Sequence, residues 1–162
     1  MRALIAFLIG AVIALSIFYF IRYYFGNPFR ILFYTVEVQN KSFDDVVKTL
    51  EEKLNQNGLK VVRVLPLSKA LEGRGVKDFP KYSIILACDV PGKENILPKY
   101  PALTNLIPCS VAVYETKEVL RITTMKEMVF LAEYAKQLKD EEANLIINTY
   151  RNLRKTLDEV RK

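Results

Sequence analysis

Two cysteines, Cys88 and Cys109, are the residues of this chain whose type and placement best suit chemistry. One closes an apolar run, Tyr82 to Cys88 (YSIILAC), and the other opens the next, Cys109 to Glu115 (CSVAVYE). If both runs are antiparallel strands, with the 20-residue connection at one end, the two sulfurs fall at the same edge of a sheet. Three outcomes stay open at this point. Both can be buried, inert thiols, because an unbridged Cys packs as a small hydrophobe. They can form a disulfide in an oxidising compartment, if their Cα atoms lie within about 7 Å. Or they can serve redox work, sulfur transfer or metal binding. Two thiolates do not complete a tetrahedral metal site, so a metal would also need Asp89, Glu94 or a second subunit.

The chain has no histidine. That excludes a Ser-His-Asp triad, a Cys-His pair and every metal or haem site that needs an imidazole from this chain. No cofactor, no metal site and no catalytic set is expected. Asp44 and Asp45 fall in the first turn of a helix, where capping and the helix dipole account for them. Asp140-Glu141-Glu142 reads the same way. Gly73-Arg74-Gly75 lacks the Lys-Ser/Thr of a phosphate loop and reads as a turn.

The elements that position these residues follow from the pattern. Ile31 to Gln39 reads as a strand. Ser42 is placed to cap a helix over 42–57, with Asp45 as its reciprocal partner. Phe43, Val46, Val47, Leu50 and Leu54 form the apolar stripe of that helix, and Gly58 ends it. Leu59 to Leu65 is a second strand, Ser68 to Leu71 a single helical turn, and Tyr82 to Cys88 a central strand. Glu94 to Leu97 starts a short helix limited by Pro98 and Pro101. Cys109 to Glu115 and Val119 to Thr123 form a hairpin. Helical periodicity runs from Met125 to Leu138 and again from Asp140. There Ala143, Ile146, Tyr150, Leu153, Leu157 and Val160 form a seam expected to pack on the domain's own sheet, a coiled-coil partner being the alternative. The order strand, helix, four strands, helix gives an α+β class: an antiparallel sheet with helices on one face.

The N-terminus is of another kind. Ala3 to Ile21 is a run of 19 uncharged, almost wholly apolar residues. As a helix it would be about 28 Å long, against about 30 Å for a bilayer's hydrocarbon core. Arg2 and Arg22 bracket it, and Tyr19, Tyr23 and Tyr24 stand where interfacial aromatics belong. A cleaved signal peptide has a shorter core and a small-residue cleavage site, which this run lacks. The expectation is a single-pass anchor over 1–25, a linker over 26–30 broken at Gly26-Asn27-Pro28, and a domain over 31–162. The flanking charges are nearly balanced, and an uncleaved export signal would put the domain on the extracytoplasmic side of the cell membrane.

Beyond residue 30 the chain carries 21 basic and 18 acidic residues, so half of the overall charge of +6 belongs to the N-terminal segment. No polybasic block and no basic-aromatic interleaving appears, which argues against nucleic acid as a partner. Many Lys, Glu and Ile with little Gln give a thermophile-like composition.

The stretch from Tyr82 to Glu115 resembles the domain-of-unknown-function family numbered 302. Ile107-Pro108-Cys109 matches that family's Leu-x-Pro-Cys motif, and Tyr114-Glu115 matches the end of the strand that follows. Cys88-Asp89-Val90-Pro91 departs from the family's Cys-Asn-Pro by one extra residue. Phe43, Leu50 and Gly58-Leu59-Lys60-Val61 resemble its opening helix and strand. The resemblance spans about residues 35–160. It implies a two-layer β-α-β4-α sandwich similar to the TATA-binding-protein architecture, often dimeric, with no settled activity.

Together these readings point to a non-catalytic binding or accessory component at a membrane surface, associating with itself or with a larger membrane complex. One alternative is a thiol-based redox or sulfur-relay protein using Cys88 and Cys109. A further one is a lipid or small-ligand binder.

Overall fold

The computed structural model describes residues 2–26, 28–89, 93–105, 107, 109–117, 119–127 and 137–162, with the backbone alone for 2–6, 24, 25, 28, 88 and 105. The chain falls into two units, residues 1–32 and 33–162.

The first unit holds helix α1 (Arg2–Phe25) and the five-residue α2 (Pro28–Leu32). The Gly26 amide donates to the Arg22 carbonyl at 2.9 Å and closes α1. Ser16 satisfies its hydroxyl on the Val12 carbonyl of the preceding turn, at 2.8 Å. Tyr19, Arg22 and Tyr23 stand exposed on α1, as do Phe7, Val12 and Phe18. The expectation of a single-pass cell-membrane protein with an extracytoplasmic domain is overturned: among the described residues, no helix is long and apolar enough to cross a membrane. The strand expected from Ile31 begins two residues later. Pro28 has the fixed φ that suits a first helical position, and it draws Ile31 and Leu32 into α2.

The second unit is built on five strands: β1 (Phe33–Val38), β2 (Lys60–Leu65), β3 (Tyr82–Cys88), β4 (Cys109–Glu115) and β5 (Leu120–Met125). All neighbours pair antiparallel in the order β1-β5-β4-β3-β2, so the chain's first two strands are the sheet's two edges. Two helices cover one face: α3 (Phe43–Gln56) and the last helix, α5 (Asp140–Arg161). A short α4 (Leu67–Glu72) turns the chain from β2 toward β3. This is the expected α+β class. Two boundaries differ from expectation. Residues 93–99 make successive turns leading to a 3-10 turn at Pro101–Asn105, in place of a helix from Glu94. β5 runs on to Met125, where helical periodicity was read; the rest of the helix expected over 125–138 lies mainly on 128–136, outside the described residues.

Helix α3 forms where the pattern demands. Ser42 is its N-cap and accepts from the Asp45 amide at 3.2 Å, while the Asp45 carboxylate takes the Ser42 hydroxyl at 2.6 Å. Gly58 ends it with φ of +79°, a left-handed conformation open to glycine. The Leu59 amide then reaches back to the Leu54 carbonyl at 2.8 Å. Between the helices, Asn57 donates to Thr156 Oγ1 at 2.8 Å and accepts from Asn152 at 3.1 Å through its carbonyl. The core lies between helices and sheet. Val46, Leu50 and Leu54 of α3 and Ile146, Tyr150, Leu153 and Leu157 of α5 are buried against Val36, Ile85, Val111 and Ile122. The seam of α5 therefore packs on its own sheet.

Candidate functional site

Cys109 opens β4 with its side chain turned into the helix-covered face, 3% exposed, and it carries a thiol rather than a disulfide. Its cross-strand partner on β3 is Ala87, which is fully buried on the same face. Cys88 takes the next position, opposite Lys60 of β2. What the structure brings to Cys109 is Tyr150 of α5, 1% exposed and hydrogen-bonded to the thiol. Burial, and then the neighbouring thiol, push the Tyr150 hydroxyl far above its ordinary range, so the phenol is held neutral.

One residue earlier on α5, Thr149 belongs to a second buried contact. Lys93 is 2% exposed, and its ammonium donates to the Asp89 carbonyl at 2.5 Å and to Thr149 Oγ1 at 2.5 Å. It lies 3.3 Å from the Asp89 carboxylate. The three ammonium protons therefore have three acceptors, which is the condition for burying a charge without a large penalty. Thr149 can turn its own proton to the Leu145 carbonyl at 3.0 Å or to Asp89 at 3.3 Å. Farther along, Glu142 meets Lys99 at 2.9 Å and the Lys139 amide at 3.2 Å. Lys99 first, and then that amide, hold the Glu142 carboxyl below the usual carboxylate range. These contacts fasten the segment after β3 to α5.

Chemically, this end of the sheet is occupied. A thiol bonded to a buried phenol, and an ammonium bonded three ways, offer no accessible nucleophile. Among the described residues no three His, Cys, Asp or Glu side chains converge as a metal site would require, and Asp89 is engaged with Lys93. Sequence reasoning missed Lys93, Thr149 and the Tyr150 contact. The available signal was a Lys four residues after Asp89, just ahead of the short helix expected from Glu94.

The other face of the sheet carries no helix among the described elements, and cross-strand pairs organise it. Tyr82 and Tyr114 oppose each other on β3 and β4 with rings stacked 5.2 Å apart at 13°. Phe79 leans on Tyr82 at 6.4 Å. Burial, then Tyr114, raise the Tyr82 hydroxyl above its ordinary value. Ile84 and Ala112 pair beside them, each half-buried. Toward β1 the face turns polar: Thr35 meets Thr123 at 2.7 Å and Glu37 meets Arg121 at 2.8 Å.

A five-stranded antiparallel sheet with two helices on one face defines a two-layer α+β sandwich, with Cys109 and Lys93 packed inside and, among the described residues, no helix on the other sheet face. The chain belongs to the family described as Domain of unknown function DUF302, whose model matches residues 34–160. A solved structure, of an uncharacterized conserved DUF302 protein from Bacillus stearothermophilus, superposes with a TM-score of 0.68. It is 20% identical, covering 80% of this chain and 98% of the other, a likeness that shows the fold. Comparison with curated proteins gave no match.

Proposed function

We propose that this domain is a non-catalytic binding module that pairs with a second copy of itself through the open face of its sheet. One observation carries the reading: the stacked Tyr82–Tyr114 pair with Ile84 and Ala112 beside it, an apolar centre on a face that no helix covers among the described residues. Aromatic side chains dominate interface energetics, and tyrosine is enriched at such surfaces. The flanking charges favour a like partner. Glu37 and Arg121 cancel beside the apolar centre, and the basic Lys60 and Arg63 stand at the far edge of the face, opposite Cys88 and Leu86, so a like partner meets no like charge next to the tyrosine pair. Burial of Cys109 against Tyr150 and of Lys93 against Thr149 supports packing roles for the groups that would otherwise suggest an enzyme or a thiol relay.

The test is sedimentation equilibrium of the full chain as wild type and as Ala112→Glu. A charge at the centre of the open face leaves the monomer's core untouched, so the variant is expected to be monomeric where the wild type is dimeric. Identical association of the two would refute the reading and place any self-association elsewhere, on the exposed α1 for example.

A further inference from the structure

On the helix-covered side, between α3 and the corner where β2 meets α4, lies an open groove of about 560 Å³. That falls within the range of roughly 300–1,000 Å³ typical of small-molecule sites. Phe43 and Val47 of α3 form one wall and Val64 with Pro66 the other. Ser83 of β3 lies in the lining, 4% exposed, and its hydroxyl makes no hydrogen bond among the described residues. The contrast with the adjacent Ser68 is informative. Ser68 is equally enclosed, but it accepts from the Tyr82 amide at 3.1 Å and donates to the Tyr82 carbonyl at 3.2 Å. The Ser83 hydroxyl is not among the sealed atoms left without a partner, so it opens on the groove and takes its partner from there.

We infer that this groove is a binding site for an uncharged amphipathic small molecule, with an apolar body between the α3 and β2–α4 walls and one hydrogen-bonding group on Ser83. The rim sets the charge. Lys48, Lys69 and Lys81 stand against Asp44, Glu51 and Glu72, so the groove has no net charge to select an ionic ligand. Lys81 closes one end, its ammonium 5.9 Å above the Phe43 ring and 3.9 Å from Glu115. The inference is independent of the pairing surface proposed above, which lies on the opposite face of the sheet.

The probe is N-phenyl-1-naphthylamine, a neutral fluorophore with two apolar rings and a single N–H, titrated into the full chain. Saturable binding at one site per chain is expected. Ser83→Ala, which keeps the volume nearly constant, is expected to weaken it about fivefold, as loss of one hydrogen bond does. Val47→Phe, which fills the groove, is expected to abolish it, with circular dichroism confirming that both variants fold. Equal binding by wild type and both variants would assign the probe to another apolar surface and overturn the site. Absence of saturable binding would also overturn it, leaving Ser83 to solvent.

Discussion

Replacing Lys93 tests whether the contact at the end of β3 is a structural clamp. In Lys93→Ala the Asp89 carbonyl loses its donor, and an unsatisfied buried acceptor costs about 1–3 kcal/mol. The Asp89 carboxylate is about one-third exposed and regains water, so it adds little. Thr149 keeps the Leu145 carbonyl as an acceptor for its proton, so it adds little too. Loss of about three buried methylenes removes another ~2.4 kcal/mol at ~0.8 kcal/mol each. The sum is about 3–5 kcal/mol, a large part of the ~5–15 kcal/mol that holds a domain folded. Lys93→Met keeps the stem and removes only the ammonium, whose own desolvation penalty goes with it. Its loss is expected to be about 1–3 kcal/mol, the cost of the bared Asp89 carbonyl alone. The chain has no Trp, so urea unfolding is followed by circular dichroism at constant m-value. Equal losses for the two variants, or a loss below about 0.5 kcal/mol for Lys93→Ala, would refute the clamp, because both variants bare the same acceptor and only Lys93→Ala also gives up the buried stem.

Tyr150→Phe removes the hydrogen bond to Cys109 and is expected to lower stability near neutral pH by about 1 kcal/mol. Tyr150 has a folded-state pKa raised above its ordinary 10.0, so its stabilisation is complete below that value and is lost as pH rises beyond it. Wild type is therefore expected to lose stability above pH ~10 more steeply than Tyr150→Phe, by up to about 1.4 kcal/mol per pH unit. Parallel curves in urea titrations across that range would contradict the buried phenol. Gly58→Ala meets no neighbouring atom, so its effect is left-handed backbone strain alone, about 1–2 kcal/mol read as a lower melting temperature.

Much of the second unit was legible because local chemistry and tertiary demand agree there. Tyr82–Cys88 and Cys109–Glu115 are strands over the expected residues, since each is an unbroken β-favouring run. Ser42 and Gly58 bracket α3 as capping physics requires. The misreadings came where local signals are ambiguous. Met125 begins a helical periodicity but pairs with Phe33 across β1, a contact 92 residues away in the chain that no local pattern reveals. At the N-terminus the helical signal was right, since α1 forms, but the further step from an apolar helix to a membrane span did not hold. The candidate site was legible only in its first half. Cys109 was placed at a strand start, but its neighbours depend on register and on α5, which brings Tyr150 from 41 residues downstream. The burial of Lys93 was invisible for the same reason: its partner Thr149 is 56 residues away.

The central claim is that the open sheet face is a pairing surface, and photo-crosslinking from its centre tests it most directly. With p-benzoylphenylalanine in place of Tyr114, irradiation of the full chain should yield a covalent dimer whose linked peptide comes from β3, β4 or β5 of a second copy. A chain that stays monomeric after irradiation, or a link confined to the α1 peptide, would contradict it.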